Sequence, residues 1–217
     1  MAWNEALFTA VSALTCTGLS VFSVGDELTR FGQSMLLLLI QVGGLAYMTF
    51  AVVLLQLIGR QISVADRLDL KDAFGSLKVA SIFVLFRFLL LLVIGIELVG
   101  AILMWLHWRD SIPGATFFDA LFHAVSAFCN AGFDLFGGNP ALGGGRFPTD
   151  GPTLFIKASV ILLGGLGAPV LFDLALWPRQ KRLTLHSRIT LSVYAFLFLV
   201  GFLAIFACER NGTLATL

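Results

Sequence analysis

Two short stretches hold the residues best suited to chemistry, Thr15-Cys16-Thr17-Gly18 and Cys129-Asn130-Ala131-Gly132. Each is made of small residues, ends in glycine, and follows an apolar run that reads as a short helix. A helix pointing its carboxyl end into a membrane concentrates about half a negative charge there. If the four residues that follow are extended, they present a column of backbone carbonyl oxygens to a common axis. Such oxygens replace the water around a monovalent cation and repel anions. Glycine is needed where the backbone takes dihedrals closed to other residues, and where a side chain would block the axis. A phosphate site would need helix amino ends and a lysine, and neither accompanies these stretches. The chemistry expected is therefore coordination of a dehydrated cation, with no covalent step.

The two stretches belong to longer copies of one another. Glu5-Ala6-Leu7-Phe8 answers Asp119-Ala120-Leu121-Phe122, and Ala10-Val11-Ser12-Ala13 answers Ala124-Val125-Ser126-Ala127. Gly18 then falls on Gly132 and Phe22 on Phe136 without a gap. Gly43-Gly44-Leu45-Ala46 answers Gly164-Gly165-Leu166-Gly167 after a longer loop in the second copy. The pattern predicts an internal repeat of re-entrant helix, loop and spanning helix.

The composition says what must surround these loops. The chain has 217 residues, 58% of them hydrophobic and only 12% charged, with a mean hydropathy of +0.93. Soluble domains carry about 25% charged residues, so this is the composition of a membrane protein, with lipid as its surroundings. A net charge of +1 argues against nucleic acid, which demands a basic surplus. The three cysteines, Cys16, Cys129 and Cys208, are odd in number and lack motif spacing, so neither a disulfide framework nor a zinc site is expected. Residues 1–14 lack a basic start and contain Glu5, unlike a signal peptide.

Four membrane-spanning helices are expected. No charge falls between Arg30 and Arg60, a run of about 44 Å as a helix against a hydrocarbon core of about 30 Å. A second span runs from Val79 to Leu106 and contains Arg87 and Glu97. A third runs from Thr153 to Trp177, with Lys157 and Asp173 near its ends, and a fourth, uncharged, from Ile189 to Cys208. The linkers after the first and third spans carry Arg60, Arg67, Lys71, Lys78, Arg179, Lys181, Arg182 and Arg188. The opposite side has Arg30, Arg109 and Arg146. By the positive-inside rule the linkers are cytoplasmic, which puts both glycine-ended loops on the outer side of the cell membrane. Phe117 to Phe128 would make a helix of only about 18 Å, the length of a re-entrant segment. Irregular backbone inside a membrane is tolerated where it is buried in protein or lines a watery cavity.

"HAVSAFCNAGFDLFG" and "TGLSVFSVGDELTRFGQSMLLLLIQVGGLAYMTF" resemble the Trk/Ktr/HKT potassium transporters, in particular the membrane subunit of the bacterial Ktr and Trk systems. The resemblance covers nearly the whole chain. It implies an all-α membrane protein of helix, pore loop and helix repeats, like a potassium channel, with four spans and two re-entrant pore helices here. It also implies that Thr15, Cys16, Thr17, Gly18, Cys129, Asn130, Ala131 and Gly132 belong to the selectivity filter, with Gly18 and Gly132 its selectivity glycines. In that family a serine in place of the first glycine accompanies sodium transport, so Gly18 leans toward potassium. A homodimer of the full-length protein and a cytoplasmic ring of nucleotide-binding regulatory subunits are implied as well. The linker "GRQISVADRLDLKDAFGSLKV" with Arg179 to Arg188 is a candidate docking surface for that ring, or a solvated connector.

On this reading residues 1–59 form the first repeat without its outer helix, and 60–78 a cytoplasmic linker. Residues 79–177 form a complete second repeat, 178–188 a second linker, and 189–217 the outer helix of a third. The chain would hold two of four filter strands, as expected of a fragment or a truncated product, with any gating loop beyond Leu217.

Asp134 is expected at the outer mouth, where a carboxylate raises the local cation concentration or caps its own loop. Asn130 bonds the filter backbone from behind or merely satisfies itself. Arg87 and Glu97, ten residues and roughly 15 Å apart along a helix, cannot pair, and Glu97 needs a partner. Lys157 and Asp173 read as interfacial, His123 as packing, and the paired glycines as sites of close helix approach. His107 and His123 share no ligand spacing with a cysteine. Asn211-Gly212-Thr213 matches a glycosylation sequon. Two rivals to potassium transport remain: sodium passage or sodium–potassium symport, and a non-conducting assembly subunit. An intramembrane enzyme built on Asp119, His123 and Cys129 is disfavoured, because their counterparts Glu5, Thr9 and Thr15 keep only the acid.

Overall fold

A computed structural model describes residues 2–57, 80–137 and 148–209. The linker at 60–78, Arg146 and the sequon at Asn211 lie outside them. The described residues form eight helices and no strand. In chain order these are α1 (Trp3–Leu14), α2 (Val24–Glu27), α3 (Arg30–Leu57), α4 (Ala80–Ser111), α5 (Phe117–Phe128), α6 (Gly151–Gly165), α7 (Ala168–Gln180) and α8 (Leu185–Glu209). The protein is an all-α membrane protein.

Among the described residues two helices are long and apolar enough to cross a membrane alone, over Arg87–Ser111 and Leu185–Cys208. The 28 residues of α3 would rise about 42 Å, and their described apolar part, Arg30–Ala46, is shorter. The run from Thr153 to Trp177, expected as one helix, is two: α6 ends at Gly165 and α7 begins at Ala168. Gly167 between them has φ +78°, and Pro169 stands in the first turn of α7. In an unbroken helix Pro169 would remove a backbone bond and strike the preceding turn, whereas a first turn has no such bond to lose.

The chain divides into two compact units, Met1–Gly165 and Leu166–Leu217. In the first, α5 is the buried centre: nine of its residues, from Asp119 to Phe128, are buried, and α3, α4 and α6 pack on it. Its amino end is held by a capping box. Asp119 N donates to Thr116 Oγ1 and Thr116 N donates to Asp119 Oδ2, at 3.4 and 2.9 Å. At the head of α1, Ala2 N donates to Glu5 Oε2 at 2.7 Å, the counterpart of the Thr116–Asp119 bond. The start of α6 is tied to α4. Asp150 accepts from Thr153 N at 3.0 Å and lies 2.6 Å from His107 Nε2, while Trp108 Nε1 donates to Thr153 Oγ1 at 2.9 Å. In the second unit α7 packs on α8. There Asp173 receives Thr184 N, Thr184 Oγ1 and Ser187 Oγ, anchoring the head of α8. The apolar side chains of α8, among them Phe196, Leu199 and Phe202, are exposed, as on a helix bathed in lipid.

Candidate functional site

α1 and α5 end in the same way. After α1, Cys16 N donates to Ala13 O at 3.1 Å and Thr17 N to Ser12 O at 3.0 Å. After α5, Asn130 N donates to Ala127 O at 3.1 Å and Ala131 N to Ser126 O at 2.8 Å. Both are Schellman endings, which close a helix with one left-handed residue, usually glycine. Here that residue is Cys16 or Asn130, each at φ 52°; asparagine tolerates this conformation better than most. Two positions on, Gly18 and Gly132 are again left-handed, at φ 72° and 77°. Every second residue of each loop thus turns against the usual hand. The sequence points to the glycines; the turns at Cys16 and Asn130 carry no signal beyond a small or amide side chain after an apolar helix.

The segment beyond each glycine is tied back to its helix at equivalent positions. Leu19 N donates to Ser12 Oγ at 2.8 Å, and Ser126 Oγ donates to Phe133 O at 2.9 Å. Within each segment, Phe22 N donates to Ser20 Oγ at 3.2 Å and Phe136 N to Asp134 Oδ1 at 2.7 Å. Thr15 and Thr17 hydroxyls lie 3.3 Å apart, and Thr17 reaches Ser12 Oγ at 3.0 Å. These threonines therefore bond within their own loop and to the last turn of α1.

The two loops meet. A Cβ built on Gly18 would stand 2.0 Å from Ala131 O and 3.2 Å from Gly132 Cα, so only glycine permits the approach. The glycines of the longer helices do similar work. A Cβ on Gly43 would lie 2.1 Å from Leu14 O, and one on Gly164 1.8 Å from Phe128 O. Leu14 and Phe128 are the last residues of α1 and α5. The close approach expected of these glycines is thus to the carboxyl ends of the short helices. Gly44 fits against Cys129, whose Sγ would be 2.4 Å from an added Cβ.

Asp134 is more engaged than a solitary mouth carboxylate. Besides Phe136 N it faces His123 Nε2 at 3.1 Å, while His123 Nδ1 donates to Asp119 O at 2.7 Å. Leu135 N also approaches Nε2, at 3.3 Å. A protonated ring therefore donates to the carboxylate, and a neutral one accepts from Leu135. Burial raises the Asp134 carboxyl, but the bonds from His123 and Phe136 N and the charges of His123 and Lys157 outweigh it and hold the group below the usual carboxylate range. His123 is fully buried among Trp108, Phe122 and Phe136, so it packs as expected, and it also braces the loop. Asn130 Nδ2 donates to Phe128 O at 3.4 Å, a local bond to the last residue of α5. A hollow of about 130 Å³ is lined by Ser126, Ala127, Asn130, Gly132, Lys157 and Ile161. Lys157 thus shares this hollow with Gly132.

Asp119 of the disfavoured enzyme is taken up by Arg30, whose Nη1 and Nη2 approach at 2.5 and 3.4 Å. Burial pushes the Cys129 thiol well above its ordinary value, which makes it a poor nucleophile. His107 pairs with Asp150, and no cluster of three metal-ligating side chains exists among the described residues.

The sequence profile described as "TrkH: Cation transport protein" matches residues 1–209. The chain belongs to the TrkH family. Among curated relatives of this family, Ktr system potassium uptake protein B of Bacillus subtilis (strain 168) is 35% identical over 100% of this chain and 48% of its own length. Potassium/sodium uptake protein NtpJ of Enterococcus hirae is 33% identical over 96% of this chain and 46% of its own length. Ktr system potassium uptake protein B of Vibrio alginolyticus is 33% identical over 96% and 46%. The TrkH-family chain here spans about half the length of the curated relatives it matches. These relatives are named as transport proteins rather than enzymes.

Proposed function

We propose that this segment helps to build a potassium pathway through the cell membrane, with Thr15, Cys16, Thr17 and Gly18 as one filter strand and Cys129, Asn130, Ala131 and Gly132 as another. Ions would shed water onto carbonyl oxygens of the two loops, assisted by the negative carboxyl ends of α1 and α5. The reading rests on one observation: the Gly18 backbone stands against the Ala131 carbonyl, 2.0 Å from where a Cβ would be. The matching left-handed residues in both loops support it. Asp134, next to the second loop, would hold the outer mouth in shape through His123 and add to its negative potential. The surplus of basic residues in the two linkers supports an outward-facing filter.

The names of the Ktr relatives, which speak of a system, support regulatory partners. On the resemblance these would be nucleotide-binding subunits at the cytoplasmic linkers, with a homodimer of the complete protein in lipid. The name of the Enterococcus relative favours a second reading, in which sodium passes alongside potassium. The test is uptake of rubidium against sodium by the complete gene product containing this sequence, in cells without their own potassium uptake. Gly132→Ser should fold, because its Cβ would meet nothing nearer than Gly18 Cα at 3.9 Å, at a backbone cost of about 1–2 kcal/mol. It should reduce the preference for potassium several-fold; an unchanged preference removes Gly132 from the filter.

A further inference from the structure

Glu97 lies within the spanning segment of α4 and is only 3% exposed. Among the described residues its Oε1 has no hydrogen-bond partner, and neither has the buried Nε2 of Gln41, although that α3 amide lies beside the carboxyl. The ion pairs among the described residues are Arg30–Asp119, His107–Asp150, Arg109–Asp110 and His123–Asp134, and none includes Glu97. Arg87, on the same helix, is exposed and about 15 Å away along the axis. From α5 the titratable group in electrostatic reach is Cys129, which Cys16 at the end of α1 also reaches. From α6, Lys157 acts on Asp134. The remaining titratable groups of α5, Asp119 and His123, are engaged with Arg30 and Asp134.

A carboxylate in this position would be a buried charge with no counter-charge among the described residues, which is among the costliest arrangements in a protein interior. The surroundings add to that cost. Cys129 caps the carboxyl end of α5, and the partial negative charge of that end repels another anion. Gln41 offers only a neutral amide. A proton on Glu97 removes the charge and supplies a donor.

We propose that Glu97 is a positioning residue held as the neutral acid behind the second loop, and that loss of its proton tightens cation binding at the loops while slowing release. The proposal rests on the filter reading for its transport consequence and on burial alone for the protonation state. A full negative charge behind α5 would deepen the potential at the carbonyls of Cys129 to Gly132. Ions would then enter more readily and leave more slowly.

The experiment uses the complete gene product in lipid vesicles, with pH varied equally on both sides. In infrared difference spectra between neutral and alkaline pH, the wild type should lose a protonated-carboxyl band that Glu97→Gln lacks throughout. Rubidium uptake by the wild type should show KM and maximal rate falling together as pH rises, while Glu97→Gln stays level in both. Absence of the band at neutral pH in the wild type overturns the proposal, as does a Glu97→Gln pH profile matching the wild type. If Glu97→Gln does not assemble, Glu97→Asp must shift the band and the midpoint of the uptake profile; unmoved values overturn it equally. The infrared arm is independent of the filter assignment, so a band without any uptake effect would fault the transport link, and an unaltered Gly132→Ser preference would fault the filter.

Discussion

Gly164 of α6 rests directly on the carbonyl of Phe128, the last residue of α5, with 1.8 Å between that oxygen and the place a Cβ would occupy. Gly43 of α3 stands in the same relation to Leu14 of α1, at 2.1 Å. In both copies a long helix reaches the end of a short one through a missing side chain. The carbonyls at those ends are the source of the negative potential assigned to the loops, so the contact fixes the place where that potential is focused.

Gly164→Ala and Gly43→Ala should therefore each destabilise the protein by about 1–3 kcal/mol, because the obstacle is backbone and cannot swing away. Gly95→Ala and Gly201→Ala meet nothing within 4 Å and should be neutral or stabilising by up to about 1 kcal/mol, since alanine is the better helix former. Thermal unfolding in detergent distinguishes the two pairs. Equal behaviour of all four would contradict the close approach.

The pair Arg30–Asp119 joins α3 of the first copy to α5 of the second. The Asp119 side chain is 1% exposed and that of Arg30 55%, and Arg30 also lies over the Phe118 ring at 5.0 Å. Arg30→Met would leave the carboxylate with Thr116 alone. The full cost of orphaning a buried charge is about 3–5 kcal/mol, reduced here by solvent around Arg30 to about 1–2 kcal/mol. Adding Asp119→Asn should recover part of the loss. A double-mutant cycle in denaturant measures it, and strictly additive effects would show that the pair contributes nothing.

Asp134 gives a pH dependence with a definite sign. Its folded carboxyl sits below the usual range, so the unfolded chain takes up the proton first as pH falls. The stabilisation is complete above the unfolded value of about 4 and disappears as pH drops through the folded value. Stability should be flat in this respect from pH 8 to about 5 and decline below that. Asp134→Asn should flatten part of the acid decline and leave neutral stability lowered, because His123 Nε2 and Phe136 N lose their ionised acceptor. An acid limb identical in the variant and the wild type would exclude this role.

Much of the architecture is legible in the order of residues. The bounds of α5 follow from the apolar run Phe117 to Phe128 and its stop at Cys-Asn-Ala-Gly; the Thr116–Asp119 cap at its start emerges only in the structure. The correspondence of Gly43 with Gly164 follows from laying the copies together, and their matching contacts agree with that register. The break before α7 is harder to see, because the run from Thr153 to Trp177 stays largely apolar, and the sequence offers at Gly164 to Pro169 only a second reading, as a place of flexing. His123 is read as packing, since nothing local ties residue 123 to residue 134; a hydrogen bond between them exists only once the loop folds back over its own helix.

Hydropathy, spacing and internal likeness act through local forces, and they are enough to dictate an all-α membrane protein with two short helices ending in small residues. Which glycine meets which carbonyl, which acid finds a cation, and why Glu97 finds none among the described residues depend on segments far apart in the chain. Arg30 meets Asp119 across 89 positions and Ser23 meets Gly137 across 114. Contacts of that span leave no periodic trace, because each is set by the packing of whole helices rather than by the residues beside it.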